Sequence, residues 1–159
     1  MSFALWQYPV HALAFGIGAG LAPFAQGTFG SLIGVALFWF MAPLGAAYYS
    51  ALVVLLGLAG IFVCGQTARD FGEIDPGFIV FDEIVGFLVA MYLLPPKWRW
   101  IVAGLVLYRI FDIWKPYPIH LLEEGLGLGS GIVADDMFAG FYTLIILHAV
   151  RLGLQRSAH

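Results

Sequence analysis

The sequence predicts an all-α fold, a polytopic membrane helical bundle of about five helices plus a short N-terminal re-entrant or interfacial helix. Of its 159 residues, 62% are hydrophobic and 11% are charged, whereas soluble domains are about half apolar and a quarter charged. No charged residue precedes Arg69. Several apolar runs approach the roughly 20 residues that a helix needs to cross a bilayer. We expect a single membrane domain over residues 1–159.

Proline and glycine divide the apolar sequence into segments. Residues 10–21 form a glycine-rich piece that is short for a helix crossing the bilayer. We therefore expect it to lie in the membrane interface or to form a re-entrant segment. Tryptophans near several predicted helix ends are typical of an interfacial aromatic belt. The five predicted helices, A to E, cover residues 30–43, 46–67, 79–94, 98–115 and 132–154.

The charged residues predict a polar site at one mouth of this bundle. All ten acidic residues fall between Asp70 and Asp136. If the five helices all cross the membrane, five of their ends lie on one side: the start of A, the end of B, the start of C, the end of D and the start of E. These five ends carry Thr28 and Ser31; Arg69 and Asp70; Asp82 and Glu83; Arg109, Asp112 and Lys115; and Asp135 and Asp136. The sequence contains no basic patch of the kind that would indicate a nucleic-acid partner.

Two acidic pairs are the candidate metal ligands. Asp82 and Glu83 open helix C, and Asp135 and Asp136 open helix E. Carboxylates that meet at low dielectric repel one another unless a cation neutralises them. Such oxygen ligands suit Mg²⁺. The alternative is that each pair only caps a helix N-terminus.

Arg109, Asp112 and Lys115 are spaced i, i+3, i+6 and share one side of helix D. Arginine binds phosphate bidentately and lysine supplies a point charge. The spacing therefore predicts a phosphomonoester site in which Asp112 orients the phosphate or binds metal. A self-contained salt-bridge ladder is the alternative.

Residues 27–31, Gly-Thr-Phe-Gly-Ser, lead into helix A. Backbone N–H groups before a helix start can cradle an anion, which makes Thr28 and Ser31 candidate phosphate-binding residues. Close helix packing through Gly30 and Gly34 is the alternative. A second glycine-rich stretch, residues 125–131, could close over a head group or serve only as a linker.

The remaining polar residues receive weaker expectations. Arg69, Asp70, Glu73 and Asp75 would lie mostly solvated in the B–C loop, with Asp70 a secondary metal candidate. Neither His11 nor His120 is expected to be a ligand.

Four motifs recur in order along the chain. They are Thr-Phe-Gly-Ser at 28–31, Asp-Glu-Ile-Val-Gly at 82–86, Arg-Ile-Phe-Asp-Ile-Trp-Lys-Pro-Tyr-Pro-Ile at 109–119, and Gly-Ile-Val-Ala-Asp-Asp-Met-Phe-Ala-Gly at 131–140. Together they resemble the phosphatidylglycerophosphatase A family, over about residues 16–140. The resemblance implies a bacterial inner-membrane, Mg²⁺-dependent hydrolase that converts phosphatidylglycerophosphate to phosphatidylglycerol and inorganic phosphate.

Together these observations predict that Asp82, Glu83, Asp135 and Asp136 hold one or two Mg²⁺ ions. Arg109 and Lys115 would stabilise charge on the phosphoryl oxygens, and Asp112 would act as a ligand or orienting base. Direct attack by water and an aspartyl-phosphate intermediate both remain open. Cys64 is a poor nucleophile candidate, because its sequence surroundings are apolar.

Two other functions use similar residues. An ion- or proton-coupled transporter also places carboxylates in a membrane, but no internal repeat is evident and the acids sit at helix ends. A lipid head-group phosphotransferase would use the same chemistry with an alcohol in place of water.

The orientation rests on two opposing indications. Lys97, Arg99, Arg151 and Arg156 lie opposite the predicted site, and the positive-inside tendency would make their face cytoplasmic. The resemblance implies a substrate made in the cytoplasmic leaflet, so we expect a cytoplasmic active site. The oligomeric state is not predicted.

Overall fold

The computed structural model describes residues 9–119, 121 and 126–157. Within them the chain is helical and contains no strand, which confirms the all-α prediction for this part of the chain. His120 and Gly125, the first residue of the second glycine-rich stretch, lie outside the described residues. The helices are α1 Pro9–Ala14, a 3₁₀ helix Gly16–Leu21, α2 Gln26–Met41, α3 Ala46–Phe71, α4 Phe81–Ala90, α5 Trp98–Trp114 and α6 Leu128–Arg156.

Two of the described helices, α3 and α6, are long and apolar enough to cross a membrane. They have 26 and 29 residues, or about 39 and 43 Å at 1.5 Å per residue. Only 33% and 22% of their most apolar stretches are buried inside the protein, so the remaining apolar surface is suited to lipid contact. Two candidate spans are fewer than the five predicted, and the other crossings stay a prediction.

The N-terminal piece consists of two six-residue helices, each too short to cross a bilayer. Positive φ angles at Gly16, Ile17 and Gly18 break the chain between α1 and the end of the 3₁₀ helix. The piece packs beside the start of α4, where the Val80 amide donates a hydrogen bond to the Ala14 carbonyl at 2.9 Å.

Three helices extend beyond their predicted ends. The segment from Gln26 is already helical, although helix A was predicted to begin at about residue 30. Arg69 and Asp70 belong to α3 and not to a loop. α6 begins at Leu128, and Gly129 in its first turn packs on α3, where an added Cβ would lie 2.0 Å from the Ile61 carbonyl oxygen.

Helix α4 is shorter than predicted, with ten residues in place of 79–94. It ends in a turn with positive φ at Leu93, and Pro95 and Pro96 prevent a further helical turn. The Leu93 carbonyl accepts a hydrogen bond from Arg151 at 2.7 Å. Arg151 lies about 22 Å beyond Asp136 along α6. α4 and the turn that follows it therefore extend over a similar distance beside α6.

The crossing of α4 and α6 brings the two acidic pairs together. A Cβ on Gly86 would lie 2.6 Å from the Asp136 carbonyl oxygen, and one on Gly140 would lie 2.3 Å from the Gly86 carbonyl oxygen. These close backbone contacts require glycine at both positions. Asp82 and Asp136 each stand one turn before these glycines, so the crossing places them side by side.

Candidate active site

Three carboxylates form the centre of the site. Ligand atoms of Asp82, Glu83 and Asp136 all lie within 4.8 Å of one another. Asp82 and Asp136 are 5% and 3% exposed. Buried Asp82 Oδ1 and Glu83 Oε2 accept no hydrogen bond from the described residues. Clustered, buried carboxylates with open oxygens repel one another, and these three therefore fit a divalent cation that prefers oxygen ligands.

Two cations, one on α5 and one immediately after it, line the same cavity, which has a volume of about 230 Å³. The Arg109 guanidinium pairs with Asp112, and its Nη1 lies 3.6 Å from Glu83 Oε1. Its buried Nε donates no hydrogen bond to the described residues. The structure therefore brings Arg109 and Asp112 to the three carboxylates, as their spacing predicted.

Lys115 reaches the cavity because α5 ends there. Its φ of 43° gives it a left-handed conformation immediately after the helix, and Pro116 prevents another helical turn. The Lys115 ammonium lies 2.6 Å from Asp135 Oδ2 and 3.6 Å from Asp75 Oδ2. A positive charge thus stands at the edge of the cavity between two acidic groups.

Asp135 lines the cavity but lies outside the three-carboxylate cluster. One of its oxygens accepts a hydrogen bond from the Asp136 amide at 2.9 Å, and the other pairs with Lys115. Both oxygens therefore have partners in the structure. A metal-ligand role for Asp135 stays a prediction.

The first turn of α2 packs directly behind the site. A Cβ on Gly27 would lie 2.1 Å from Glu83 Oε1 and 2.5 Å from Arg109 Nη1, so a larger residue there would displace both side-chain ends. The positive end of the α2 dipole thereby faces the Glu83 carboxylate. The close contacts of the glycines in this motif support the alternative that they serve helix packing.

The two hydroxyl residues of that motif, Thr28 and Ser31, are the candidate phosphate-binding residues from the sequence. Ser31 is fully buried, and its Oγ donates a hydrogen bond to the Gly27 carbonyl at 2.8 Å. Neither Thr28 nor Ser31 is among the described residues that line the cavity. Their phosphate-binding role stays a prediction without support from this placement.

Sequence reasoning missed two residues of the site. Tyr108 is fully buried, and its hydroxyl donates a hydrogen bond to Asp136 Oδ1 at 2.8 Å. Its position four residues before Asp112 was the available signal, because that spacing places both on one face of α5. Asp75, which was expected to be mostly solvated, lines the cavity beside Lys115.

Asp70 lies elsewhere, on α3. It accepts a hydrogen bond from Gln66 at 2.9 Å and lies 3.4 Å from His11 Nε2. His11 is buried and also bonds to Thr67 at 3.0 Å. Asp70 is absent from the described lining of the cavity, so this placement gives no support to Asp70 as a secondary metal ligand.

Cys64 lies close to the Asp82 backbone, behind the cavity. It is fully buried in an apolar cluster beside Val63, Ile132 and Val133. It is not among the described residues that line the cavity. This placement agrees with the expectation that it is not a nucleophile.

Comparison with known proteins gives consistent matches over most of the chain. Residues 12–151 match the family described as Phosphatidylglycerophosphatase A. Phosphatidylglycerophosphatase A of Escherichia coli (strain K12) is 42% identical over 89% of this chain and 83% of its own length. The protein of that name from Haemophilus influenzae is 40% identical over 90% of this chain and 89% of its own length.

A third relative carries another name. A Bacteroides thetaiotaomicron protein, provisionally named phosphatidylinositol-3-phosphatase, is 39% identical over 86% of this chain and 89% of its own length. No solved structure matches the chain. The match to the family over residues 12–151 and the identities of 40% and above confirm the resemblance carried by the four motifs. The chain belongs to the phosphatidylglycerophosphatase A family.

Proposed function

We propose that this chain is a Mg²⁺-dependent membrane phosphatase that hydrolyses phosphatidylglycerophosphate to phosphatidylglycerol and inorganic phosphate. The observation that carries the proposal is the meeting of three carboxylates, two buried and one partly buried, with Arg109 and Lys115 in one cavity. The names of the Escherichia coli and Haemophilus influenzae relatives support this substrate. No comparable observation favours a transporter or a phosphotransferase.

The two cations are suited to bind the terminal phosphate. A phosphomonoester carries about 1.5 to 2 negative charges near neutral pH. The Arg109 Nε lacks a described partner and can donate to a phosphate oxygen. Lys115 would exchange part of its contact with Asp135 for a second oxygen. Asp112, paired with Arg109, would hold the guanidinium in position.

Asp82, Glu83 and Asp136 would hold Mg²⁺, with Asp135 the further candidate from the sequence. Bound Mg²⁺ would neutralise phosphate charge and favour ionisation of a water molecule. In the overall hydrolysis the phosphorus–oxygen bond to glycerol breaks, water supplies the new oxygen on phosphorus, and the glycerol oxygen takes a proton. Asp112 lies in the cavity as the candidate orienting base for this proton transfer.

Phosphate release tests the proposal most directly. Purified protein in detergent is expected to release inorganic phosphate from phosphatidylglycerophosphate, and EDTA should abolish release until Mg²⁺ is restored. Release that is insensitive to EDTA would remove the metal from the proposal. No release at all would favour a transporter or a phosphotransferase. Phosphatidylinositol-3-phosphate is the comparison substrate suggested by the name of the Bacteroides relative.

We also propose a multi-pass placement in the bacterial inner membrane, with five crossing helices and a cytoplasmic active site. The two apolar helices α3 and α6 support membrane insertion, and the substrate class supports the cytoplasmic face. Single cysteines at Glu73 and Lys97, in a Cys64→Ala background, test it in intact cells. We expect a membrane-impermeant thiol reagent to label position 97 and to spare position 73. The reverse pattern would invert the topology.

A further inference from the structure

The end of the bundle opposite the active site carries an unbalanced positive charge. α5 begins there and α6 ends there, bringing Lys97, Arg99, Arg151 and Arg156 to the same end. The described acidic residues lie towards the other end, between Asp70 and Asp136. None of the four cations pairs with a described carboxylate.

Two of these cations, Lys97 and Arg99, border a cavity of about 680 Å³ between the start of α5 and the end of α6. Its outer part carries Lys97 and Arg99, whereas Ala103 and Val150, deeper along the two helices, are apolar. The Arg99 guanidinium lies 5.6 Å from the centre of the Trp98 ring, a distance at which the ring attracts the cation. The full lining is Lys97, Trp98, Arg99, Trp100, Ala103, Val150 and Leu154.

We infer that this cavity binds an anionic phospholipid of the leaflet opposite the active site. Lys97 and Arg99 match the phosphodiester, and the deeper apolar wall matches the first part of an acyl chain. Tryptophan is enriched at the head-group level, and basic pockets between membrane helices bind anionic head groups. A free inorganic anion would use the cations and leave the apolar wall without a function.

This lipid site is separate from the substrate site. Lys97 and Arg109 lie 12 positions apart at opposite ends of α5, about 18 Å along the helix. A phosphate bound at Lys97 therefore does not reach the three carboxylates. The inference rests on the membrane placement proposed above and does not depend on the catalytic roles.

Native mass spectrometry of the full chain in detergent can test the lipid site. Phosphatidylglycerol and phosphatidylcholine are added in equal amounts, and the bound fraction of each is measured. Wild-type protein is expected to retain phosphatidylglycerol at least fivefold more strongly. Arg99→Gln should lower that preference about fivefold, because one cation near anionic lipid contributes about that factor.

Arg156→Gln is the matched control, because it removes the same charge from the same end without touching the cavity lining. It should keep the wild-type preference. Equal retention of the two lipids by wild-type protein, or an equal loss in Arg156→Gln, would overturn the inference. If millimolar inorganic phosphate removes the difference between wild-type protein and Arg99→Gln, the inference is also overturned and a free-anion site is indicated.

Two readouts keep this test independent of the proposed function. Size-exclusion chromatography of each variant verifies that the protein remains folded. Phosphate release by wild-type protein is measured on the same preparation. Normal release without lipid preference rejects only the lipid site, whereas lipid preference without release rejects only the phosphatase.

Discussion

The Tyr108 hydroxyl donates a hydrogen bond of 2.8 Å to Asp136 Oδ1 in the interior of the bundle. Gly86 leaves the space for this contact, since an added Cβ there would lie 2.6 Å from the same hydroxyl. Three helices therefore cooperate to fix one carboxylate, with α5 supplying the donor, α6 the acceptor and α4 the gap. Partners of this kind orient metal ligands, and their loss typically lowers metal affinity about 10- to 100-fold.

Tyr108→Phe is expected to raise the Mg²⁺ concentration for half-maximal phosphate release about tenfold. The turnover at saturating Mg²⁺ should change much less, because the three carboxylates remain. Binding of Mn²⁺ followed by electron paramagnetic resonance should weaken in parallel. This second readout does not depend on catalysis.

The control for this prediction is Tyr49→Phe. Tyr49 is also buried and donates a hydrogen bond of 2.7 Å, but its acceptor is the Leu88 carbonyl, outside the site. It should leave the Mg²⁺ dependence unchanged. An unaltered Mg²⁺ dependence in Tyr108→Phe would show that the hydroxyl does not position Asp136.

The convergence of the acidic pairs was predictable because charge is so unevenly distributed along the sequence. No charged residue precedes Arg69. If successive helices cross in alternate directions, the helix ends that carry the polar motifs all lie on one side of the bundle. The i, i+3 spacing likewise placed Arg109 and Asp112 on one side of α5, whereas Lys115 reaches the cavity because the helix ends before it. These arguments need only helix geometry and the cost of burying charge.

Other features depend on tertiary contacts that no local pattern contains. The short length of α4 follows from the turn at Leu93 and its contact with Arg151. The placement of Asp75 depends on where Lys115 emerges from α5. Tyr108 was overlooked because a buried aromatic residue in an apolar helix is usually only a core residue.

Asp82→Asn is expected to separate activity from stability. Phosphate release should fall at least about 100-fold if Asp82 is a metal ligand, as proposed. In EDTA, however, the variant should unfold at a higher temperature than wild-type protein, since one buried negative charge leaves a crowded cluster. Mg²⁺ should then raise the unfolding temperature of wild-type protein and not that of the variant.

Asp70→Asn is the comparison for this effect, because Asp70 lies outside the cavity lining. It should retain phosphate release and the stabilisation by Mg²⁺. Wild-type turnover in Asp82→Asn would remove this carboxylate from the mechanism. A large loss of turnover in a folded Asp70→Asn protein would instead restore Asp70 as a metal candidate.

Gly86→Ala tests the crossing that assembles the site. The new Cβ would lie 2.6 Å from the Asp136 carbonyl oxygen, so the helices must separate, at a cost of about 1–3 kcal/mol. Both thermal stability and Mg²⁺ affinity should fall. Gly57→Ala is the matched control, because its nearest neighbour would be at 3.8 Å, an ordinary contact distance. Equal stability of the two variants would contradict the close crossing.

Lys115→Gln is expected to raise the KM for phosphatidylglycerophosphate by about tenfold, because one charge-assisted hydrogen bond to phosphate is worth about 1.5–3 kcal/mol. Inhibition by inorganic phosphate should weaken in parallel, since product and substrate share the phosphate group. Arg156→Gln removes the same charge from the far end of α6 and should leave both constants unchanged. If KM stays constant in Lys115→Gln while phosphate release falls, then Lys115 stabilises the transition state and does not contribute to substrate binding. Its pairing with Asp135 at 2.6 Å would then have to be kept when substrate arrives, and Arg109 would bind the phosphate alone.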